Sequence, residues 1–449
     1  MPSMKTSIRQ LIDYWDQTEK LVHIKKEVDP LYELGAVINA WEGKQPVYFE
    51  KIKGYNMPMV AGFGGDRITL ADSIGAAPEQ LVSRLIDAIV NPIPTTKSAI
   101  GPVHDNVVLG EFSIDDFFPI PTYHEKDAGP YLVSGVMVVK EPAGGKRYTS
   151  IRRMQYLGGN RCAICITSPE LNNQYRALEA RNEPLEFAVM FGVVPAVVLS
   201  SQISTHLFHA DKLDVAGALL GASLPVVQCK TVDIEVLAEA EIVLEGKMLP
   251  HERYPEGPFG EVGGYYGVVE DNPIVEFTAI TYRNQPIAQT IFPSSFEERI
   301  PMSIVREANL LNAVRQTVPN VLDVHVTATS VARLHAIIQI EKKTEGDAKQ
   351  ALLAAFSSDK DLKHTVVVNE DIDIFDPADV EWAIATRMQA DTDLFIVPGA
   401  KGSPLEPSHN LRGVSAKMGM DATYPLAEKE RFIRTSIPVP ASFNVKDYL

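Results

Sequence analysis

The sequence predicts a multi-domain protein of mixed α+β and α/β class, and three observations support this prediction. A chain of 449 residues is too long for one hydrophobic core, so two or three domains are expected. Residues 1–110 and the last third of the chain combine apolar residues at helical spacing with short buried-strand patterns. Between them, short alternating runs separated by Pro and Gly predict a largely antiparallel sheet or partial barrel.

The first part of the chain predicts two helices. Apolar residues at helical spacing predict one over 7–19, and Pro78 followed by a second periodic run predicts another over 79–90. The glycine-rich stretch 62–65 between them lacks the lysine of a phosphate-binding loop, so an ordinary turn is expected there.

The central part predicts strands and two inserted helices. Alternating apolar residues predict strands at 131–140, 187–194, 196–200, 240–248 and 274–282. Ser168, Pro169 and Glu170 have the residue types of an N-cap, a first helical position and a first-turn acid, which predicts a helix start. A second helix is predicted near 213–220.

The last third returns to an α/β pattern. Apolar runs predict buried strands at 365–368 and 394–397. Asp376 followed by Pro377 predicts the start of a helix between them.

The composition argues against several classes of protein. With 42 Lys and Arg against 58 Asp and Glu, the net charge is −16, which disfavours binding to nucleic acids. No apolar run approaches the ~18 residues of a membrane span, and the N-terminus lacks a signal-peptide core. Three cysteines are too few for a disulfide framework, so a cytoplasmic location is expected. Cys162 and Cys165 lie in an apolar run, which favours packing over metal or redox chemistry.

The stretch 254–267 is the first candidate for chemistry. It is rich in Gly and Pro and carries Glu256 and Glu261 between two predicted strands, so we expect a shaped loop held at both ends by a sheet. Two acids beside aromatic side chains suit proton transfer when their environments differ. A glycine-rich hairpin with two solvated acids is an equal alternative.

A basic stretch upstream is the second candidate. If Thr149, Ile151 and Arg153 share one face of a strand, an inward Arg153 would form an ion-paired trio with Glu256 and Glu261. A solvated basic edge strand is the alternative.

Two further charged clusters have ordinary explanations. Glu297, Glu298 and Arg299, followed by Arg306, have the composition of a helix start with acids in its first turn. The basic, Gly-containing stretch 412–417 is either a phosphate contact or plain surface.

Together these motifs resemble the UbiD family of decarboxylases, which use prenylated FMN. The resemblance covers nearly the whole chain in the family's order, and the last third is most similar to members acting on hydroxybenzoate- and gallate-like acids. The motifs are Asp127-Ala-Gly-Pro-Tyr131, Ser150-Ile-Arg-Arg-Met-Gln155, Tyr254-Pro-Glu-Gly-Pro-Phe-Gly-Glu-Val-Gly-Gly-Tyr265, Glu370-Asp-Ile-Asp-Ile-Phe-Asp376 and Trp382-Ala-Ile-Ala-Thr-Arg387.

The resemblance implies a three-part architecture. An N-terminal α/β domain would span 1–110, a split β-barrel flavin-binding domain 111–305, and a linking helix with a C-terminal α/β oligomerisation domain 306–449. It also implies a homo-oligomer, either a dimer or a trimer of dimers, and a flavin prenyltransferase that supplies the cofactor.

The resemblance also implies roles for single residues. Arg153 matches the family's catalytic arginine, Glu256 the acid paired with it, and Glu261 the proton donor. The implied cofactor-binding residues are Tyr148, Thr149, Ser150, Ile151, Arg153, Pro169 and, at the cofactor phosphate, Lys417.

The match departs from the family at the metal. Members hold a divalent ion, usually manganese, between the cofactor phosphate and Asn, His and Glu side chains, where this chain has Tyr148, Glu170 and Asp214. Two carboxylates can still bind Mn²⁺ or Mg²⁺, so Glu170 and Asp214 are candidate ligands, and K⁺ is a further candidate ion. A metal-free site is the alternative.

The substrate is expected to be a carboxylic acid. Arg299 stands where members acting on phenolic acids have a His, and together with Arg306 it suits a second anionic group on the substrate. The implied function is reversible, non-oxidative decarboxylation of an aromatic, heteroaromatic or α,β-unsaturated acid. The two arginines favour a substrate with a second anionic group. The alternatives are a non-catalytic flavin-phosphate-binding or assembly subunit and an FMN-dependent reductase.

Overall fold

The computed structural model describes residues 5–141, 145–204, 210–409, 411, 413–440 and 443–448. The chain divides into two compact units. The first comprises Met1–Asn309, Val326–Leu334 and Ser403–Val414, and the second comprises Leu310–His325, His335–Gly402 and Ser415–Leu449. The predicted domains 1–110 and 111–305 both lie within the first unit, so the boundary between them stays a prediction.

The described residues form ten α-helices and 21 strands. The helices are α1 Ile8–Gln17, α2 Glu33–Trp41, α3 Arg67–Ser73, α4 Leu81–Val90, α5 Pro169–Glu179, α6 Pro195–Ser201, α7 Lys212–Leu220, α8 Phe296–Arg315, α9 Asp347–Ser358 and α10 Pro377–Arg387. None of these helices is long and apolar enough to cross a membrane.

The strands build four sheets. They are β1 Val22–Ile24, β2 Val47–Phe49, β3 Met59–Ala61, β4 Thr96–Lys97, β5 Asn106–Leu109, β6 Tyr131–Leu132, β7 Val136–Lys140, β8 Arg147–Ile151, β9 Met154–Gly158, β10 Arg161–Ile164, β11 Leu185–Phe191, β12 Pro225–Gln228, β13 Glu235–Leu237, β14 Ile242–Glu256, β15 Glu270–Tyr282, β16 Ala288–Gln289, β17 Val321–Val326, β18 His335–Ile340, β19 His364–Asn369, β20 Leu394–Lys401 and β21 Val414–Ala422. The two small sheets have the orders β1-β2-β3-β16 and β13-β12-β4.

The nine-stranded sheet is the scaffold of the first unit. Its order is β6-β9-β10-β15-β14-β11-β7-β8, with β5 paired to β15, and neighbouring strands run antiparallel. It curls into a half-barrel, which confirms the predicted split-barrel architecture. Its core includes Phe187 and Phe277, whose ring centroids are 5.5 Å apart, and the fully buried Cys162.

Local sequence signals explain where several helices begin. Ser7 caps α1 by accepting a hydrogen bond from the backbone N–H of Gln10, and the Gln10 side chain completes a capping box. Ser168 caps α5, and Pro169 occupies its first turn, as the sequence predicted. Asp376 caps α10 by accepting a hydrogen bond from the N–H of Ala378.

One predicted strand is wrong. The run 196–200 belongs to helix α6, which begins at Pro195 and whose seven residues are all buried. A continuous apolar run has no alternation, so it does not distinguish a buried strand from a buried helix, and the proline at the first helical position decides the outcome. The predicted strand 131–140 is also divided, into β6 and β7.

The second unit contains a five-stranded sheet of order β17-β18-β19-β21-β20. Strands β18, β19 and β21 are parallel, as expected for an α/β unit. The predicted strands 365–368 and 394–397 lie inside β19 and β20, and Val366 and Val368 of β19 are fully buried.

An ion pair joins α1 to the half-barrel sheet. Arg9 Nε and one terminal nitrogen donate to Glu241 Oε1 and Oε2 at 2.8 and 2.7 Å. The Glu241 side chain is 0% exposed, and its Oε2 also accepts a hydrogen bond from the N–H of Ile287. A buried carboxylate depends on such partners because its desolvation is not otherwise compensated.

We expect Arg9→Met to lower the free energy of unfolding of the first unit by about 3 kcal/mol. The substitution removes the bidentate cation of the buried Glu241 and leaves Arg283, whose Nε lies 3.8 Å from Glu241 Oε1. Urea denaturation followed by tryptophan fluorescence measures the change, since Trp15 lies in α1. Lys26→Met is the matched control. It removes an ion pair with Glu33 in which the Lys26 side chain is 81% exposed, so its effect stays below about 1 kcal/mol. Equal effects of both substitutions would contradict this assignment.

Candidate active site

The Gly- and Pro-rich loop is carried by the longest hairpin of the half-barrel sheet. Strand β14 ends at Glu256 and its partner β15 begins at Glu270, and these two residues face each other across the ladder. The loop 257–269 is therefore held at both ends by paired strands. This confirms the prediction of a loop positioned by a sheet, although the strand extends to Glu256 itself.

Side chains from elsewhere in the first unit hold the loop in place. Asp127 Oδ1 accepts a hydrogen bond from the N–H of Gly260 at 2.9 Å, and its Oδ2 accepts one from the N–H of His124 at 2.9 Å. Gln155 Oε1 accepts one from the N–H of Gly257 at 3.1 Å. Position 260 requires glycine, because a Cβ atom there would lie 2.4 Å from the His124 ring.

Arg153 lies between the two acids of the loop. Its Nε and one terminal nitrogen donate to Glu256 Oε1 and Oε2 at 2.9 and 3.0 Å, and its other terminal nitrogen donates to Glu261 Oε1. The guanidinium also lies 4.8 Å from the centre of the Phe259 ring. Arg153 lies after the end of β8 rather than within it, so the expected trio is present but does not depend on strand alternation.

The two acids have different surroundings. Glu256 is fully buried, is held bidentately by Arg153, and accepts a hydrogen bond from Asn272 Nδ2 at 3.0 Å. The Glu261 side chain is 18% exposed. Among the described residues, Arg153 is the hydrogen-bond partner of its carboxylate. Glu256 is therefore fixed, whereas Glu261 can change its contact without leaving several groups unsatisfied.

The environment keeps the Arg153 guanidinium charged. Burial by itself would lower the pKa of Arg153, but interactions with Cys165, Glu256 and Glu261 outweigh burial and raise it. Burial also raises the pKa of the Cys165 thiol to about 11 and raises that of Cys162. Because the thiolate is the nucleophile and metal ligand, these neutral thiols are suited to packing.

The predicted cofactor-lining segment contains unsatisfied polar atoms. Thr149 and Ser150 lie on β8 with 0% and 5% of their surface exposed, and their hydroxyl oxygens have no hydrogen-bond partner among the described residues. Buried hydroxyls are normally paired, so these two fit a segment that contacts a bound molecule. Ile151 ends the same strand and is half-buried.

A cavity of about 640 Å³ lies beside this segment. Its lining includes Arg147, Tyr148, Glu170 and Asp211. Tyr148 itself is tied to the protein, because its hydroxyl donates to Ser168 Oγ at 2.8 Å. The size and polar lining suit the polar end of a cofactor.

The candidate metal ligands are not arranged as a set. Asp214 Oδ1 accepts hydrogen bonds from the Thr95 N–H at 2.9 Å and from Arg147 at 3.3 Å, and burial raises the Asp214 pKa. Glu170 lines the cavity. The described part of the chain contains no group of three or more His, Cys, Asp or Glu residues suited to a metal ion.

Lys417 has a different environment from the one the resemblance implied. It belongs to the second unit, is 4% exposed, and its ammonium donates to the carbonyl oxygens of Lys360 and Leu362 at 2.9 and 2.5 Å. A further carbonyl, that of Asp359, lies at 3.5 Å. An ammonium has three N–H donors, and three backbone carbonyls use them. These contacts hold the Lys417 ammonium on backbone carbonyls, and its role at the cofactor phosphate stays a prediction.

The two candidate substrate-binding arginines lie on α8. Arg299 Nε and one terminal nitrogen donate to the carbonyl oxygen of Val262, next to Glu261, at 3.2 and 3.0 Å. Arg306 lies two turns further along the helix and is half-buried. Arg299 is thus connected to the loop of the two acids. Burial raises the pKa of its neighbour Glu298 to about 7.

Sequence reasoning missed three residues that position the trio. Asp127 and Gln155 were recognised only as parts of motifs, and Asn272 carried no signal of its own. Asn272 reaches Glu256 because it pairs with Tyr254 across the β14–β15 ladder. The register of the hairpin was the missing information.

Comparison with known proteins identifies the family. Sequence models of three domains of 3-octaprenyl-4-hydroxybenzoate carboxy-lyase match this chain: the N-terminal domain over residues 12–89, the Rift-related domain over 95–296 and the C-terminal domain over 300–422. The protein is a carboxy-lyase. The chain belongs to the UbiD family, as its motifs predicted.

Individual relatives agree with this assignment. The UbiD-class enzyme HmfF from Pelotomaculum thermopropionicum, solved with FMN, is 44% identical with a TM-score of 0.96 over 99% of this chain and 100% of that one. Anhydromevalonate phosphate decarboxylase of Methanothermobacter thermautotrophicus is 35% identical over 93% of this chain and 97% of its own length. Gallate decarboxylase of Lactiplantibacillus plantarum is 30% identical over 97% of both chains.

We expect Gly260→Ala to lower kcat by about tenfold or more. The new Cβ would clash with the His124 ring and push the loop, and with it Glu261, out of position. Gly263→Ala is the matched control in the same loop. Its Cβ would lie 3.4 Å from the nearest atom, the carbonyl oxygen of Leu405, so little change is expected. Steady-state decarboxylation rates, measured beside thermal melting of both variants, check this prediction. Similar rates for the two variants would show that the close approach at 260 is unimportant.

Proposed function

We propose that this protein catalyses the reversible, non-oxidative decarboxylation of an aromatic, heteroaromatic or α,β-unsaturated carboxylic acid with prenylated FMN. The observation that carries the proposal is the trio in which Arg153 holds Glu256 bidentately and contacts Glu261. The trio places a fixed cation beside a less constrained acid. Decarboxylation requires a cation that orients the carboxylate, and the proton delivery that follows requires an acid that can move.

Relatives and geometry both support the cofactor. HmfF was solved with FMN and, in an evolved dimeric form that is 42% identical to this chain, with prFMN. In this chain, the unsatisfied hydroxyls of Thr149 and Ser150 and the adjoining cavity fit a flavin cofactor. When bound, prenylated FMN would supply the electron sink that accepts the carbanion charge released with CO₂.

Each residue of the trio would have a separate role in the reaction. Arg153 would bind and orient the substrate carboxylate through its guanidinium. Glu256, fully buried and bonded to Asn272, would keep Arg153 in place. Glu261 would donate its carboxylic proton from Oε2, the oxygen not held by Arg153, to the substrate carbon after CO₂ has left. A new proton would reach it from solvent, because its side chain is partly exposed.

Two arginines on α8 support a substrate with two anionic groups. Arg299 and Arg306 add positive charge on the helix whose start contacts the loop at Val262. A dicarboxylic aromatic or heteroaromatic acid satisfies this requirement. The archaeal relatives are named for a phosphate-bearing acid, so an unsaturated acid with a phosphate as its second anion is the other candidate.

The proposal also concerns the oligomeric state of the protein and the source of its cofactor. We expect a homo-oligomer, a dimer or a trimer of dimers, and a relative in dimeric form supports an oligomer. A flavin prenyltransferase must produce the cofactor. Three free cysteines fit a reducing cytoplasm.

The test is to co-produce the protein with a flavin prenyltransferase, identify the bound flavin by mass spectrometry and absorption, and measure CO₂ release from a panel of mono- and dianionic acids. Bound prenylated FMN with CO₂ release supports the proposal. Bound cofactor without CO₂ release from any acid would favour a binding or assembly subunit. Oxidation of NADPH coupled to flavin bleaching would favour a reductase.

We expect Glu261→Gln to reduce turnover by about 100-fold or more while flavin binding stays intact, because glutamine keeps the shape but has no acidic proton. Glu276→Gln is the control, since Glu276 lies on β15 at the surface and outside the trio. Flavin content by absorption and single-turnover rates measure the two effects separately. Retained turnover in Glu261→Gln would refute its role as proton donor.

We expect Arg306→Ala to raise the KM for a dicarboxylic acid by about tenfold and to leave the KM of the matching monocarboxylic acid within about twofold. The substitution removes the guanidinium that would contact the second anion of the substrate. Steady-state kinetics with both acids, and with a phosphate-bearing unsaturated acid, measure the difference. Equal changes for all substrates would remove the basis for a doubly anionic substrate.

A further inference from the structure

A buried lysine lies next to the segment that would line the cofactor. Lys212, the first residue of α7, is 5% exposed, and its ammonium donates to the carbonyl oxygens of Thr149 and Ser201 at 2.8 and 2.9 Å. The ammonium also lies 5.3 Å from the centre of the Tyr148 ring. Its charge is therefore fixed beside β8, at Thr149, the residue whose hydroxyl is unsatisfied.

A second cation lies on the same segment. Arg152 donates to the hydroxyl oxygen of Tyr148 at 3.0 Å and to the carbonyl oxygen of Ile151 at 3.3 Å, and its buried Nε has no partner among the described residues. Arg152 and Lys212 therefore both contact Tyr148, one at its hydroxyl and the other over its ring, and they repel each other electrostatically.

Neither cation forms an ion pair with a carboxylate in the described part of the chain. Cations that line the neighbouring cavity do form such pairs. Lys140 pairs with Asp233 at 2.6 Å, and Arg147 pairs with Asp211 at 2.7 Å. Glu170 and Asp211 lie within electrostatic range of Lys212 without a close ion pair to it. A buried ammonium next to a half-buried guanidinium is costly unless an anion binds between or beside them.

Among the described residues, two of the three candidate metal ligands at this place are already used by the protein. The hydroxyl of Tyr148 donates to Ser168 Oγ and accepts from Arg152, so it is committed to the protein. Asp214 is bonded to the N–H of Thr95 and to Arg147. A divalent ion needs several free oxygen ligands and would be repelled by the nearby ammonium of Lys212.

We propose that Lys212 and Arg152 bind the flavin phosphate directly and supply the positive charge that a divalent ion supplies in the family, so that this chain holds its flavin without a metal. The proposal rests on the proposed function and deepens it. An ammonium acts as a point charge and a guanidinium as a planar fork, and both are established partners of phosphate oxygens. The bound phosphate would then compensate the two positive charges.

The first experiment compares metal dependence in the wild-type full-length chain. The protein is dialysed against EDTA and titrated with FMN and with riboflavin, with and without added MnCl₂, and binding is followed by flavin fluorescence. We expect the FMN affinity to be the same with EDTA and with Mn²⁺. Binding of FMN that requires one equivalent of Mn²⁺ would overturn this inference but leave the decarboxylase proposal standing. Failure to bind FMN under either condition would overturn both.

The second experiment tests the two cations. We expect Lys212→Gln and Arg152→Gln each to weaken FMN binding by about tenfold or more and riboflavin binding by less than about twofold, because riboflavin lacks the phosphate. Lys212→Arg keeps the charge and should retain most of the FMN affinity. Thermal melting shows whether each variant folds. If Lys212→Gln does not fold, Arg152→Gln still tests the site.

Lys417→Gln is the matched comparison, because it removes another buried lysine that donates to backbone carbonyls. It should leave the ratio of FMN to riboflavin affinity unchanged. If Lys417→Gln abolished the preference for FMN over riboflavin and Lys212→Gln did not, the phosphate would be assigned to Lys417 and the inference would be overturned.

Discussion

The bidentate contact between Arg153 and Glu256 is the constraint on which the rest of the site depends. Glu256 is fully buried at the end of β14, and a carboxylate in that position requires both a cation and further hydrogen bonds. Arg153 and Asn272 provide them. Because this contact occupies one side of the guanidinium, the other side is left for Glu261 and, in the proposed reaction, for a substrate carboxylate.

The half-barrel sheet gives this contact its rigidity. Strands β14 and β15 place Glu256 and Asn272 next to each other, and Asp127 and Gln155 fasten the backbone of the loop. Active sites built on such supported loops keep reacting groups within narrow limits of position. The loop therefore needs few contacts to the Glu261 side chain itself, which preserves the freedom that proton delivery requires.

Charge at the other end of the candidate site is balanced differently from what the family resemblance implied. Of the carboxylates that were expected to hold a metal, Asp214 is bonded to the Thr95 N–H and to Arg147, whereas Lys212 and Arg152 form no close ion pair with a carboxylate among the described residues. The site thus has a closely paired buried carboxylate near the chemistry and two cations without a close ion pair near the proposed phosphate. The difference follows from what each must bind.

The sequence by itself determined the family, several of the helices and strands, and the three residues of the trio, because capping residues, glycine and proline positions and motif spacing are local properties. It failed where a local pattern is ambiguous or where residues far apart in the chain decide the outcome. The buried run 196–200 forms a helix, and Asn272 reaches Glu256 only through the register of a hairpin. Only the tertiary structure revealed that Lys212 lies beside Arg152 and Thr149. Burial and the pairing of charges arise between segments, and no single segment encodes them.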